Sequence, residues 1–119
     1  MSANDRRAKL AAKDRAKADQ GEFFFARIKL SDGKIYPRPV FVIGKHLDSN
    51  DPEEVIVCFC TSTGPRTDYD RQVQLKEETF VRTNKIYNMS RDSILFKIHS
   101  SLTHEEIQDL LTYCRKAIS

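Results

Sequence analysis

Two arginines and a run of hydroxyls are the side chains in this sequence that could act on a phosphate. Arg38 stands between Pro37 and Pro39, just before the apolar run Val40-Phe41-Val42-Ile43. Thr61-Ser62-Thr63 closes a second apolar run, Val55 to Cys60. Arg82 and Asn84 are two residues apart in a third stretch. A guanidinium presents a planar fork to two phosphate oxygens, and a hydroxyl can donate to a third. If the first two runs are neighbouring antiparallel strands, the start of one lies beside the end of the other, and Arg38 meets Thr61. Residues two apart on a strand project to one side, so Arg82 and Asn84 are expected to share a face. The plain alternative is that both arginines are ordinary surface ion-pair residues.

Other chemistries find little support. Cys58 and Cys60 share a strand face, but no second Cys or His pair stands near them in sequence. Structural zinc takes four such ligands. All three cysteines, Cys114 included, are read as core packing, and neither metal nor cofactor is expected. His46 sits in a polar loop where it could meet a ligand, while His104 follows a helix cap and is expected to be solvated. The sequence has no G-x-x-x-x-G-K-[ST], no G-x-G-x-x-G and no G-x-S-x-G, so the usual nucleotide enzymes and hydrolases have no motif here.

These side chains belong to one domain of 119 residues, 39% hydrophobic and 31% charged. The net charge is +3. Residues 1–20 hold six basic and three acidic side chains, so they carry all of that excess, and the other 99 residues hold 14 of each sign. The body is therefore no general polyanion binder, and any nucleic-acid work depends on local placement of Arg and Lys. Residues 1–20 favour helix, yet Leu10 is their only large apolar residue after Met1. They read as a basic helical or disordered arm, either touching nucleic acid or a partner or simply solvated. No apolar run reaches the length of a membrane span, and the N-terminus lacks the apolar core of a secretion signal. Three cysteines, an odd number, fit a reducing cytoplasm better than a disulfide framework.

Strands are expected over residues 22–30, 38–45, 55–60, 72–75, 80–85 and 94–98, with a hairpin turn at Ser31-Asp32-Gly33. Phe23 and Phe25 fall on the Arg27 face of the first strand, so either that face is covered near its start or the two rings are exposed and compatible with a dimer-forming surface. Thr103 and Glu106 form a capping box, with Leu102 and Ile107 as a hydrophobic staple. The helix they start carries the apolar stripe Ile107, Leu110, Leu111, Cys114 and Ile118. Short strands followed by one helix predict a mainly β fold, a small antiparallel barrel or curled sheet with a C-terminal helix.

Taken in order, several stretches resemble the PemK/MazF family of toxin endoribonucleases. Gly21-Glu22-Phe23-Phe24-Phe25-Ala26 is similar to the family's opening GDVYFA or GEIWLV, and Arg38-Pro39-Val40-Phe41-Val42-Ile43 to its R-P-V-L-V-V. Residues 55–62, with Thr61-Ser62 at their end, resemble V-V-V-x-P-[IV]-T-S. Phe80-Val81-Arg82 is similar to a V-V-R stretch, and Ile98-His99-Ser100-Ser101-Leu102 to x-I-G-x-L before the closing helix. The resemblance runs from Gly21 to the end, dividing the chain into an arm, 1–20, and a domain, 21–119.

The resemblance implies an SH3-like antiparallel barrel, usually a homodimer in the cytoplasm, that cuts single-stranded RNA without metal and pairs with an antitoxin protein. The ribose 2′-OH attacks the adjacent phosphate, leaving a 2′,3′-cyclic phosphate and a 5′-OH. By that likeness Arg38 binds the phosphate and its transition state, Thr61 donates to the scissile phosphate, and Arg82 is the general acid. Ser62, Arg66, Asn84, Tyr87 and His46 are the expected RNA contacts, Tyr87 by stacking on a base or else as a barrel-wall residue. The chain also departs from the family. Asn84 stands where some members carry a carboxylate, the loop before Arg38 is short and lacks G-x-E-Q, and residues 86–90 replace R-T-[IV]-D. A neutral amide is no base, so Asp32, Asp68 or Asp70 would have to supply one. The alternatives are a non-catalytic nucleic-acid-binding or protein-binding module on the same barrel, including gyrase-poison-like action, although the C-terminus lacks the Trp-Gly-Ile ending of those poisons.

Overall fold

A computed structural model describes residues 2–45, 54–65 and 67–118. In chain order the elements are α1 (Ala3–Lys17), β1 (Phe23–Lys29), β2 (Ile35–Lys45), β3 (Glu54–Thr61), β4 (Asp70–Gln74), β5 (Glu78–Ser90), a 3-10 turn (Arg91–Ser93), β6 (Ile94–Ile98) and α2 (His104–Ile118). The strands form one antiparallel sheet in the order β4-β5-β3-β2-β1-β6. The ladder does not close between β4 and β6. Residues 74–77 and 96–98 nonetheless line one cleft of about 660 Å³. The sheet thus curls into an open barrel with a seam between its edge strands.

Side-chain alternation splits the apolar residues between two cores. Phe24, Ala26 and Ile28 of β1 pack inside the curl with Val40, Val42, Val55, Val57, Met89 and Ile94. Phe23, Phe41, Cys58, Cys60, Val73 and Val81 face the other way and pack against Leu110, Leu111 and Cys114 of α2. The continuous apolar runs of β2 and β3 are therefore buried on both faces. The Arg27 face is covered at its start, one of the two expectations for it: Phe23 is buried with the α2 residues of the outer core, and its ring lies 4.8 Å from that of Phe41. Phe25, beyond the reach of the helix, is half-buried and tilts against Phe96 at 5.1 Å.

Local signals fix the ends of these elements. Gly33 turns the β1–β2 hairpin at φ 81°, with the Lys34 amide donating to Asp32 Oδ1 at 2.8 Å. At the start of α2 the Glu106 amide donates to Thr103 Oγ1 at 3.1 Å, and the Thr103 amide donates to Glu106 Oε1 at 3.1 Å. Leu102 and Ile107 both pack on the helix-side core, as the staple requires. Gly21 passes so close to α2 that a Cβ would sit 2.9 Å from Ile107 Cγ2.

α1 is helical and capped by Ser2, whose Oγ accepts from the Asp5 amide at 3.2 Å. Its Leu10 is 60% exposed, consistent with a helix that has no apolar stripe to bury. The helix lies beside β6 and the 3-10 turn, and the chain is tied in further where the helix ends. Ala18 is buried in the inner core, and its carbonyl accepts from Arg91 Nη1 at 2.9 Å.

The split between the cores yields a stability prediction. Phe23→Ala removes a fully buried ring and should lower unfolding free energy by about 3–5 kcal/mol. Phe25→Ala, at the half-buried neighbour, should cost clearly less. Urea denaturation of the two variants checks the order, and equal losses would contradict the assigned faces.

Candidate functional site

The site grows from a break in strand pairing. β2 is paired to β1 along its first residues, Ile35 to Arg38, but to β3 only from Val40 onward. Pro37 and Pro39 supply no amide hydrogen to a ladder, so proline suits a stretch with one unpaired side. β3 meanwhile continues to Thr61, paired there with Phe80 of β5 instead of with β2. The two chains splay apart, with Arg38 on one lip and Thr61 on the other.

Two adjoining clefts occupy this gap. One, of about 200 Å³, is lined by Arg38, Thr61, Thr63, Arg82, Phe59 and Leu30, among others. The other, of about 220 Å³, is lined by Arg38, Thr61, Ser62, Lys76, Glu77 and Phe25, among others. Arg38, Cys60 and Thr61 are common to both. The structure thus brings Arg38, Thr61 and Arg82 around one cleft and sets Ser62 in its neighbour.

The two arginines are held differently. The exposed Arg38 guanidinium lies over the Tyr36 ring, 5.6 Å from its centroid, and makes no ion pair among the described residues. Arg82, with a side chain 19% exposed, places Nε 3.5 Å from Oδ1 of a fully buried Asp70 side chain. That separation is an ion pair and not a well-formed hydrogen bond, and Arg82 Nε has no hydrogen-bond partner among the described residues. Asp70 is anchored in turn, accepting from the Thr67 amide at 3.4 Å and the Thr67 hydroxyl at 3.3 Å. Thr61 Oγ1 accepts from the Thr63 amide at 3.1 Å and donates to the Thr63 carbonyl at 3.3 Å, a long bond that it would exchange for a phosphate oxygen. This turn fixes the hydroxyl at the end of β3.

The remaining expected contacts divide. Asn84 is not among the residues that line the Arg82 cleft. Between Val81, paired with Cys60, and Ile86, paired with Cys58, residues 82–85 of β5 stand against Phe59 alone. Such a bulge breaks the alternation, and Asn84 Oδ1 is buried without a partner among the described residues. Tyr87 is 45% exposed and stacks on Phe59 at 4.3 Å and 18°, which extends an aromatic surface away from the Arg82 cleft. His46 and Arg66 lie outside the described residues. Of the acids considered for a base, Asp70 is engaged with Arg82 and Thr67. Asp32 holds the β1–β2 turn, with the Tyr36 hydroxyl donating to its Oδ2 at 3.1 Å. Asp68 is exposed and lines neither cleft.

The sequence reading missed Lys76 and Glu77, which the β4–β5 turn carries into the cleft of Arg38 and Thr61. It also missed Asp70 as the partner of Arg82. No local motif marks either one, since both follow from how the hairpin folds back. The cysteines are core residues. Cys58 and Cys114 approach to 3.3 Å between Sγ atoms, and all three thiols are free and buried. The hydrogen bond with Cys114, together with burial, pushes the Cys58 thiol up, and burial does the same to Cys60.

No protein-family model matches the sequence, and no curated protein matches it either. Solved structures do resemble the fold. The Mycobacterium tuberculosis toxin MazF-mt6 aligns with a TM-score of 0.62 at 15% identity, over 82% of this chain and 95% of that one. An endoribonuclease in complex with its cognate antitoxin, from a mycobacterial species, aligns with a TM-score of 0.67 at 11% identity, over 85% and 94%. MazE-MazF from Deinococcus radiodurans gives 0.62 at 12% identity, over 86% and 95%. The architecture of this chain, a curled six-stranded antiparallel sheet closed on one face by a C-terminal helix, is that of the MazF toxins.

Proposed function

We propose that this protein is the toxin of a type II toxin-antitoxin pair, an endoribonuclease that cuts single-stranded RNA in the cytoplasm without a metal ion. The observation that carries the reading is the convergence of Arg38, Thr61 and Arg82 on one cleft. These three supply the donors that an in-line transesterification of a phosphodiester requires. The 2′ oxygen bonds to phosphorus as its proton is removed, the bond to the 5′ oxygen breaks, and that oxygen takes up a proton. Charge accumulates on the non-bridging oxygens in between. Arg38 presents its fork to those oxygens, and Thr61 donates from the opposite lip. Arg82, aimed by buried Asp70, stands at the departing 5′ oxygen. A departing alkoxide is far more basic than a neutral guanidine, so a proton can pass to it as the bond breaks. The products are a 2′,3′-cyclic phosphate and a 5′-OH end.

The exposed Tyr87 on Phe59 offers a face for a base of the same strand, and Ser62 offers a further hydroxyl. Residues 1–20 act as a basic arm beside the domain of residues 21–119. By likeness to the endoribonuclease solved with its cognate antitoxin, a small antitoxin protein would cover the groove, and a homodimer is the assembly assigned to this chain. No helix among the described residues is long and apolar enough to cross a membrane.

Incubation of mixed-sequence RNA with the protein in excess chelator tests the reading. Wild type is expected to release fragments with 5′-OH ends, and Arg38→Ala should cut about 10²–10³-fold more slowly. Intact RNA, or equal cutting by both proteins, overturns it. Binding of RNA without any cutting would instead mark a non-catalytic module.

A second test isolates Arg82. Arg82→Gln should slow cleavage of ordinary RNA by about 10²–10⁴-fold. It should recover most of the rate on an RNA whose 5′ bridging oxygen at the cleavage site is sulfur, because a thiolate leaves without a proton. An equal deficit on both substrates would remove the proton-donor role.

A further inference from the structure

The reaction also needs a group that accepts the 2′ proton, and Asn84 cannot be that group. We propose that Glu77, at the tip of the β4–β5 hairpin, is the general base. The inference rests on the nuclease reading above and assigns the half of its chemistry that the motifs leave open.

Position argues first. The cleft bounded by Arg38 and Thr61 has one acidic residue among its described lining side chains, and it is Glu77. The cleft shared with Arg82 has none. Asp70 and Asp32 are committed to Arg82 and to the β1–β2 turn, and Asp68 lines neither cleft. The Glu77 side chain is exposed, and its carboxylate has no hydrogen bond or ion pair among the described residues. An open carboxylate is available to take a proton, and a paired one is not.

Direction argues second. In-line displacement places the attacking and leaving oxygens on opposite sides of phosphorus, so the base and the acid must approach from opposite sides too. Arg38 and Thr61 form the boundary shared by the two clefts, with Arg82 in one and Glu77 in the other. A phosphate held on that boundary has Arg82 on one side and Glu77 on the other. The two residues are five apart along one strand and its turn, roughly 16 Å of extended chain. An arginine arm, a phosphodiester and a glutamate arm together fill that span. In the step, the 2′ proton passes to a Glu77 carboxylate oxygen, the O2′–P bond forms and the P–O5′ bond breaks. The electron pair departs with O5′, which takes its proton on the Arg82 side.

The backbone makes the substitution clean. The Leu75 amide at 3.1 Å and the Thr79 hydroxyl at 3.0 Å hold the turn through the Glu77 carbonyl, not through its side chain. Exchange of the carboxylate for an amide leaves both bonds in place. The charged and titratable groups that face Glu77 are Arg38 from β2, Lys76 from its own turn, and Lys97 and His99 from β6 and its end, across the open seam. His99 is the competing base, because it shares the seam cleft with Glu77 although not the cleft of Arg38 and Thr61.

The test uses the full chain and an RNA oligonucleotide carrying the cleavage site mapped with wild type. Single-turnover rates are measured across pH for wild type, Glu77→Gln, Glu77→Asp and His99→Gln. Affinity is measured on the same oligonucleotide with a 2′-deoxy sugar at the cut. Glu77→Gln is expected to melt like wild type, bind equally, cut at least 100-fold more slowly, and lose the limb of the profile that rises from acid pH. Glu77→Asp should regain part of the rate, and His99→Gln should keep the limb. Wild-type rate in Glu77→Gln, or loss of the limb in His99→Gln instead, overturns the assignment and leaves the nuclease reading standing. Wild type that leaves RNA intact overturns both.

Discussion

Proline cannot donate to a sheet ladder, and the two that flank Arg38 stand where this sheet opens. β2 has β1 on one side and β3 on the other at Val40 and Phe41, and stays paired with β3 to Lys45. Over Pro37-Arg38-Pro39 it keeps only β1. β3 continues past that point beside β5, so the end of one chain and the start of the other part company. Two polar side chains that would otherwise be neighbours across a ladder become the two lips of a cleft. Had β2 and β3 stayed paired through these residues, their backbone groups would fill the space in which a phosphate can now sit. The polar residues around the gap depend on that departure for their access to one another.

The electrostatics follow from it. Arg82 has a buried counter-charge in Asp70, itself fixed by Thr67, so its position is set before any ligand arrives. Among the described residues Arg38 has only the face of Tyr36. A guanidinium without a carboxylate partner, on the rim of a cleft whose opposite lip is a hydroxyl, is satisfied by an anion from outside. One arginine is therefore preorganised and the other adapts. That division suits a reaction in which one cation must stand at a defined oxygen while the other follows a phosphate as its geometry changes.

Much of this was legible from residue order. The alternation of β1, the apolar runs of β2 and β3, the Asp-Gly turn, and the capping box and stripe of α2 are local patterns, and each element forms close to its signal, β2 starting three residues before the expected Arg38. The convergence of Arg38 and Thr61 required one assumption, that two apolar strands pair antiparallel. What local pattern could not supply was the consequence of folding back. β5 runs unbroken through Ile86 to Ser90, where the sequence offered no clear strand period, because its second half is held by β3. Phe23 was ambiguous because its cover, α2, lies more than eighty residues away. The bulge at residues 82–85 was likewise invisible, because it is set by the register of β5 against β3.

That bulge also explains why the chemistry would be distributed as it is. In a regular strand the residue two after Arg82 would share its cleft, and acid and base could sit side by side on β5. Here residues 82–85 stand against Phe59 alone, Asn84 is not among the residues lining the cleft, and its amide oxygen is buried without a hydrogen-bond partner among the described residues. A proton acceptor for this cleft must then come from another border of the Arg38–Thr61 gap. β1 and β2 present Phe25, Pro37 and Pro39 there, β3 and the turn after it present the hydroxyls of Thr61 and Ser62, and β6 presents Ile98, so among the described residues only the tip of the β4–β5 hairpin brings a carboxylate. The same hairpin holds Arg82 against Asp70 at its open end and carries Glu77 at its turn. One short ribbon could therefore set both proton-transferring groups, and their separation would be fixed by the length of β4 and not by the packing of distant elements.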